Sequence, residues 1–252
     1  MHVFSFAAGP EEERFPQVAA ADWAFRRRGW AVTPFTFDDL RDGRLDEALR
    51  DDPAGNLVFG PVGAVLGALD RGGFARPPRL DFPPELAHRL ARRIVVGTLG
   101  AVRASDGGNG PHPWPVHVKP KDDHKLFTGR PVRAFQDLLP LKDLPADTPV
   151  WVQDHIELVS EWRATTLRGR VVHLGHYKGD PLAVPDPAAV RGGAAEYASA
   201  PAGYGADWGV TAAGDTVLVE VNDGFSLGNY GCPGPAYAEV LRARWRELVG
   251  AA

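Results

Sequence analysis

Apolar positions along the first 75 residues fall in short runs separated by stretches with helical spacing. His2 to Ala7 reads as a strand, and Pro16 to Arg28 as a helix that buries Val18, Ala21 and Phe25. Ala31 to Phe37 follows as a strand, Asp38 to Arg50 as a short polar helix opened by an Asp cap, and Leu57 to Phe59 as a third strand. This alternation predicts a parallel sheet covered by helices, a half-Rossmann or flavodoxin-like layer. Pro77, Pro78, Pro83 and Pro84 then mark Ala75 to Pro84 as a linker. Leu86, Leu90, Ile94 and Leu99 share one helical face, which predicts a helix from Glu85 to about Val102.

After the Gly- and Pro-rich break Asp106 to Pro115, the period shortens to two. Pro115 to Lys119, Val150 to Asp154, Glu161 to Leu167 and Val171 to Tyr177 read as strands, the last two joined by the turn Arg168-Gly169-Arg170. A helix is predicted from Asp186 to Ala198. Strands Gly205 to Thr211 and Thr216 to Asn222 flank the turn Ala212-Ala213-Gly214-Asp215. Pro235 to Val249 closes the chain as a helix whose apolar side carries Tyr237, Val240, Leu241, Trp245 and Leu248. The expected class is α+β, with a small α/β domain over 1–80 and a second domain over 81–252.

Charge narrows the function. The 252 residues carry 28 Lys and Arg against 32 Asp and Glu, a formal net charge of -4, which argues against a nucleic-acid binder driven by phosphate contacts. The one cysteine, Cys232, excludes a disulfide framework and points to a reducing compartment; we expect it to be packed rather than catalytic. The longest apolar run, Leu57 to Leu69, is broken by glycines and a proline and falls short of the roughly 18 residues of a membrane span. With no signal-peptide pattern at the start of the sequence, the expectation is a soluble cytoplasmic protein that binds neither membrane nor nucleic acid. Oligomeric state is not written in the pattern.

Strand alternation groups the polar side chains that could cooperate, because residues two apart share a face. Glu220 and Asn222 project together at a strand end, a hard-oxygen pair of the kind that holds Mg²⁺; the alternative is a solvated strand end before the turn Asn222-Asp223-Gly224. Glu161 and Arg163 share a face with Thr165, either turned into a cleft or forming an exposed ion pair. Of only five lysines, Lys119, Lys121 and Lys125 fall within seven residues. Lys119 ends a strand, and the loop Lys121 to Gly129, with Lys125 and Thr128, could cover phosphates or be a charged hairpin tip. His173 and His176, three apart on a strand, point to opposite faces and do not suggest a joint metal site.

In order, these pieces are a strand lysine, a loop with a second lysine, the segment Trp151 to Ile156, a Glu-x-Arg strand, a strand with Asp207, and a Glu-x-Asn strand. The stretches VHVKP, KLFTG, SEWRATTLRGRVVHLGHY and VEVNDGFSLGNYG resemble the R-two-K clade of the ATP-grasp superfamily over about Leu57 to Tyr230. The resemblance implies an ATP-grasp fold, two α+β lobes gripping ATP over 81–150 and 151–252, preceded by a half-Rossmann-like pre-ATP-grasp domain over 1–80. By the same resemblance Lys119, Lys125 and Thr128 contact ATP phosphates. Gln153, Asp154, His155 and Ile156 form the hinge that meets base and ribose. Asp207, Glu220 and Asn222 bind Mg²⁺. Arg163 faces the transferred phosphate, and Glu161 either meets ligand or orients Arg163 and Lys119. The covering loop carries Gly129 alone instead of a glycine cluster.

The implied reaction is ATP- and Mg²⁺-dependent ligation of a carboxylate to an amine or related nucleophile through an acylphosphate, with a peptide or protein among the acceptors. Two alternatives stay open. One is kinase-like phosphoryl transfer, and the other a non-catalytic nucleotide-binding module of a conflict or phage system.

Overall fold

The computed structural model describes residues 1–7, 16–106, 108–122 and 126–251. The first segment runs β1 (His2–Phe6), α1 (Pro16–Arg27), β2 (Ala31–Phe35), α2 (Phe37–Arg41), α3 (Asp46–Asp51), β3 (Asn56–Phe59) and α4 (Val62–Arg71), then a 3-10 helix at Pro84–Arg89. Next come β4 (Ile94–Thr98), α5 (Leu99–Arg103), β5 (Val116–Pro120), β6 (Arg130–Val132), a 3-10 helix at Phe135–Leu141 and β7 (Pro149–Asp154). The chain ends with β8 (Leu158–Leu167), β9 (Arg170–Gly179), α6 (Pro187–Glu196), β10 (Gly203–Thr211), β11 (Thr216–Asp223), a 3-10 turn at Gly224–Ser226 and α7 (Gly234–Leu248). It divides into two compact units, Met1–Arg89 with Leu158–Ala252, and Leu90–Glu157.

The larger unit holds two sheets. β2, β1 and β3 pair in parallel, in that order, with Val3 opposite both Val32 and Leu57. Both faces are buried, Val3, Leu57 and Phe59 on one and Phe6, Phe35 and Val58 on the other, and these residues share a core with Phe25 of α1 and with Tyr237, Leu241 and Trp245 of α7. α7 is seated on the first segment of its unit: Gly234 lets the helix start against the Trp23 ring, and the Trp245 indole donates to the Pro53 carbonyl at 2.8 Å. The second sheet is antiparallel, ordered β11-β10-β8-β9. One face of β10 buries Tyr204 and Trp208; Gly193 of α6 allows the Trp208 ring to lie against the helix. The other face carries Gly205, Asp207 and Gly209, where small residues leave room for functional side chains.

The smaller unit is an antiparallel sheet ordered β4-β7-β5-β6. Val116, Val118, Val150 and Val152 alternate into a core closed by Leu99 and Val102 of α5 and by Leu138 and Leu141. The two-residue period fixes which side faces this core, so His117 and Lys119 fall on the opposite face.

Several elements differ from expectation. The helix predicted over Glu85 to Val102 is a 3-10 turn, a strand and a short helix. Ala91 adopts φ +51°, which ends the turn, and the β-branched run Ile94-Val95-Val96 pairs with β7 instead of coiling. Thr98 then caps α5 by accepting from the Ala101 N–H at 3.1 Å. The predicted helix Asp38 to Arg50 is two helices, because Gly43 turns at φ +81° between them. α4 starts inside the apolar run Leu57 to Leu69 and continues to Arg71, and a Cβ at its Gly67 would come within 2.9 Å of the Leu40 side chain. The crossings between the two compact units lie at Arg89/Leu90 and Glu157/Leu158. Among the described residues, no helix is long and apolar enough to cross a membrane.

Candidate functional site

In the unit Leu90–Glu157, Lys119 stands opposite Trp151 in the β5–β7 ladder, half-buried. Gly129 lies so close that a Cβ there would come within 3.0 Å of the His117 ring and 3.2 Å of the Lys119 Cβ. Thr128, the next residue back, is exposed. Lys125 lies outside the described residues, as do positions 123 and 124 of the predicted covering loop.

The predicted hinge Gln153 to Ile156 runs off the end of β7, just before the chain crosses between units. Its side chains are held by arginines that sequence reasoning does not single out. Gln153 Oε1 accepts from Arg92 Nε at 2.9 Å. The Asp154 carboxylate accepts from the Arg93 N–H at 3.2 Å and from Arg93 Nε at 3.4 Å. His155 Nε2 accepts from Arg133 at 2.8 Å; burial, and next the Arg133 charge, lower its pKa, so a neutral ring fits the acceptor role. Ile156 is half-buried.

Apart from Lys119, the catalytic and metal candidates lie on the β11-β10-β8-β9 sheet. Register places Gly175, Arg163, Asp207 and Glu220 in one row across its four strands. Arg163 Nε and Nη2 each donate to Asp207 at 2.7 Å, a bidentate pair whose members are 8% and 3% exposed. Gly205 makes room for the Arg163 stem, which a Cβ there would approach to 3.1 Å. The Asn222 amide donates to Asp207 Oδ2 at 3.1 Å and to Glu220 Oε1 at 3.2 Å, linking the two carboxylates. Burial alone would discourage the Arg163 charge, but the Asp207 charge and its hydrogen bonds outweigh this and raise the guanidinium above its ordinary value. Burial raises Asp207; Arg163 opposes this, while Glu220 and Glu161 add to it.

Glu161 lies across from Lys178 in the β8–β9 ladder and pairs with it; its second oxygen accepts from the Tyr177 hydroxyl at 2.9 Å. Burial, then the charges of Asp207 and Glu161, push the Tyr177 phenol far above its ordinary pKa, so it remains a donor. Tyr230 covers Arg163, whose guanidinium carbon lies 4.6 Å from the ring centroid, and touches the Tyr177 ring at 5.1 Å. Sequence reasoning missed Tyr177 and Tyr230 as site residues. Alternation with Gly175 could have brought Tyr177 to the Glu161 face, whereas nothing local points Tyr230 at a strand 67 positions away. His173 and His176 part as expected, His173 to the Tyr230 carbonyl and His176 against Trp162. Cys232 is buried and its thiol is pushed up to about 11 by desolvation, an inert state.

The predicted metal set contributes two carboxylates and an amide. Among the described residues, no group of three or more His, Cys, Asp or Glu could hold a metal. The set fits a hard cation that takes one or two carboxylates and completes its shell with water and phosphate oxygens. Because Asp207 already serves Arg163, Glu220 and Asn222 are the better-placed donors. Asp223, beside them, is fixed by Arg244 through bonds of 2.7 and 2.6 Å and caps the following turn.

Solved structures with the same overall fold include D-cycloserine synthetase DcsG, 14% identical, with 97% of this chain and 100% of that one covered at a TM-score of 0.59. The RimK domain protein ATP-grasp from Sphaerobacter thermophilus is 17% identical, with 96% and 98% covered and a TM-score of 0.57. D-alanine–D-alanine ligase from Bacillus anthracis complexed with ATP is 15% identical, with 98% and 95% covered and a TM-score of 0.54. A search of curated proteins finds no match. At these identities the likenesses establish the fold alone, in agreement with the expected α+β class. The ATP-grasp domain of the R-two-K clade, family 2, matches residues 90–240, more than half of the sequence, and the chain belongs to that family.

Proposed function

We propose that the chain is an ADP-forming ligase that uses ATP and Mg²⁺ to join a carboxylate to an amine or related nucleophile. The observation that carries this reading is the cross-strand row Arg163, Asp207 and Glu220, with the Asn222 amide linking both carboxylates. It puts a cation with a fixed orientation beside oxygen donors, as phosphoryl transfer requires.

Asp207 occupies the Nε and Nη2 edge of Arg163, which leaves the Nη1 edge to meet the transferred phosphoryl group. Lys119, Lys125 and Thr128 are the proposed contacts to ATP phosphates, and Gln153, Asp154, His155 and Ile156 those to base and ribose. Glu220 and Asn222, with Asp207 behind them, would hold Mg²⁺, which supplies neutralisation of phosphate charge. A substrate carboxylate oxygen attacks the γ-phosphorus as the bond to the ADP oxygen breaks. The acceptor amine then attacks the acyl carbon, phosphate leaves, and one amine proton is released. Glu161, held by Tyr177 and Lys178, belongs to the rim of this chemistry.

Millimolar Mg-ATP is expected to raise the melting temperature of the wild-type protein, and Glu220→Ala to abolish the rise. Incubation with a pool of amino acids and peptides should give acceptor-dependent ADP and an amide product by mass spectrometry. No thermal shift in the wild type, or a stable phosphoester as the sole product, would sink the ligase reading.

A further inference from the structure

Tyr230 combines features that a loop residue has no reason to combine. Its backbone sits at φ +43°, a conformation unfavourable for a bulky side chain, between Asn229 and Gly231 at φ +81°. Three contacts hold it there. The Asn229 side chain accepts from the Gly231 N–H and donates to the Cys232 carbonyl, both at 2.9 Å. His173 Nε2 donates to the Tyr230 carbonyl at 3.1 Å. Gly175, in the same row as Arg163, clears the space for that carbonyl: a Cβ there would stand 2.1 Å from the oxygen.

The outcome is a ring laid over a buried guanidinium. One edge of Arg163 is locked to Asp207, one face lies under Tyr230, and Tyr177 steadies the Tyr230 ring from the side. Tyr230 is itself 43% exposed, so the ring forms part of the site's surface while it screens the cation from water. A cation under an aromatic face is attracted by the ring quadrupole, and the attraction strengthens as water is excluded.

We infer that Tyr230 is a positioning residue, which aims the remaining Nη1 edge of Arg163 at the transferred phosphoryl group and keeps water off it. This rests on the ligase reading above. Small misplacements of a group that acts in the transition state cost on the order of 10-fold to 100-fold in rate. Tyr230→Asn removes the ring yet suits the left-handed backbone, since Asn tolerates that region. Tyr230→Phe keeps the ring and removes only the hydroxyl.

The test has two readouts. In ADP formation with Mg-ATP and the amino-acid and peptide pool, Tyr230→Asn should lower kcat at least about 10-fold with the KM for ATP little changed, and Tyr230→Phe should retain most of the turnover. In a ¹H–¹⁵N spectrum, the Arg163 Nε–H resonance, assigned by its loss in Arg163→Lys, should be shifted upfield by the ring and slow to exchange. That signature should survive in Tyr230→Phe and vanish in Tyr230→Asn. If the resonance is the same in wild type and Tyr230→Asn, or if both variants lose turnover equally, the inference is wrong. A wild type that forms no ADP counts against the ligase reading, and the resonance then still decides the role of the ring.

Discussion

Arg163 donates two short hydrogen bonds to Asp207 in a place that water barely reaches, so removing either residue strands the other as a buried charge. Breaking such a pair from one side typically costs about 3–5 kcal/mol, whereas replacing both members by apolar residues of similar volume costs far less. Asp207→Ala is therefore expected to lower the unfolding free energy read from urea denaturation by that order, and Arg163→Met combined with Asp207→Leu to recover most of it. Equal losses in the single and double variants would mean that the pair holds the sheet by packing and not by charge. Alternation grouped Glu161 with Arg163 and Glu220 with Asn222, because the period of a strand decides which side chains share a face, while their proposed roles came from the family resemblance. It could not say that Arg163 and Asp207 are each other's partners. Their pairing follows from which strands lie next to one another, and β8 and β10 are separated by a whole strand and a helix.

Elements were legible where one signal stood alone. The α7 periodicity and the hairpin turns at Gly169 and Gly214 each point one way, and both glycines adopt positive φ as tight turns require. Between Glu85 and Val102, by contrast, apolar spacing favoured a helix while Ile94-Val95-Val96 favoured a strand, and pairing with β7 decided the matter. The missed strand hid Arg92 and Arg93, and with them the partners of Gln153 and Asp154. At the start of α2 the cap is Thr36 and not the expected Asp, because the preceding strand ends at Phe35 and frees Thr36 to close the helix. Thr36 accepts from the Asp39 N–H at 3.1 Å, and the Asp39 carboxylate accepts from the Thr36 N–H at 2.8 Å, a reciprocal cap. The hydrogen bond from the Thr36 hydroxyl, then that from its backbone, and more weakly Arg44, hold the Asp39 pKa below its ordinary value. The stability this provides is present above the unfolded carboxylate value of about 3.9 and is lost as pH falls through the lower folded value. Asp39→Asn should accordingly melt below wild type at neutral pH, with the gap closing as the two are titrated toward about pH 2. A gap that stays constant across that range would show that charge on Asp39 contributes nothing to the cap.

At the scale of the molecule, the parallel layer and the closing helix are parts of one core. Phe25, Phe59 and Leu57 from the first 60 residues bury the same apolar surface as Tyr237, Leu241 and Trp245, and the Phe59 and Tyr237 rings meet edge to face at 6.4 Å. Ser226, from the stretch most specific to the family resemblance, donates to the Gly60 carbonyl. Composition and linker prolines suggest a division near residue 80, since a pattern along the chain registers the end of one run of elements but not the return of a distant helix to cover it. A fragment comprising 81–252 would leave α7 with its apolar face uncovered, each large side chain forfeiting about 1.5–3 kcal/mol of burial. Summed over Tyr237, Leu241 and Trp245, that loss is comparable to the whole stability margin of a typical domain. The fragment should therefore give no cooperative thermal transition, while co-expression with residues 1–80 as a separate chain should restore one by refilling the same core. Cooperative melting of 81–252 alone, at a midpoint near that of the full chain, would mean that α7 finds adequate cover without the parallel layer and that the layer is a separable domain.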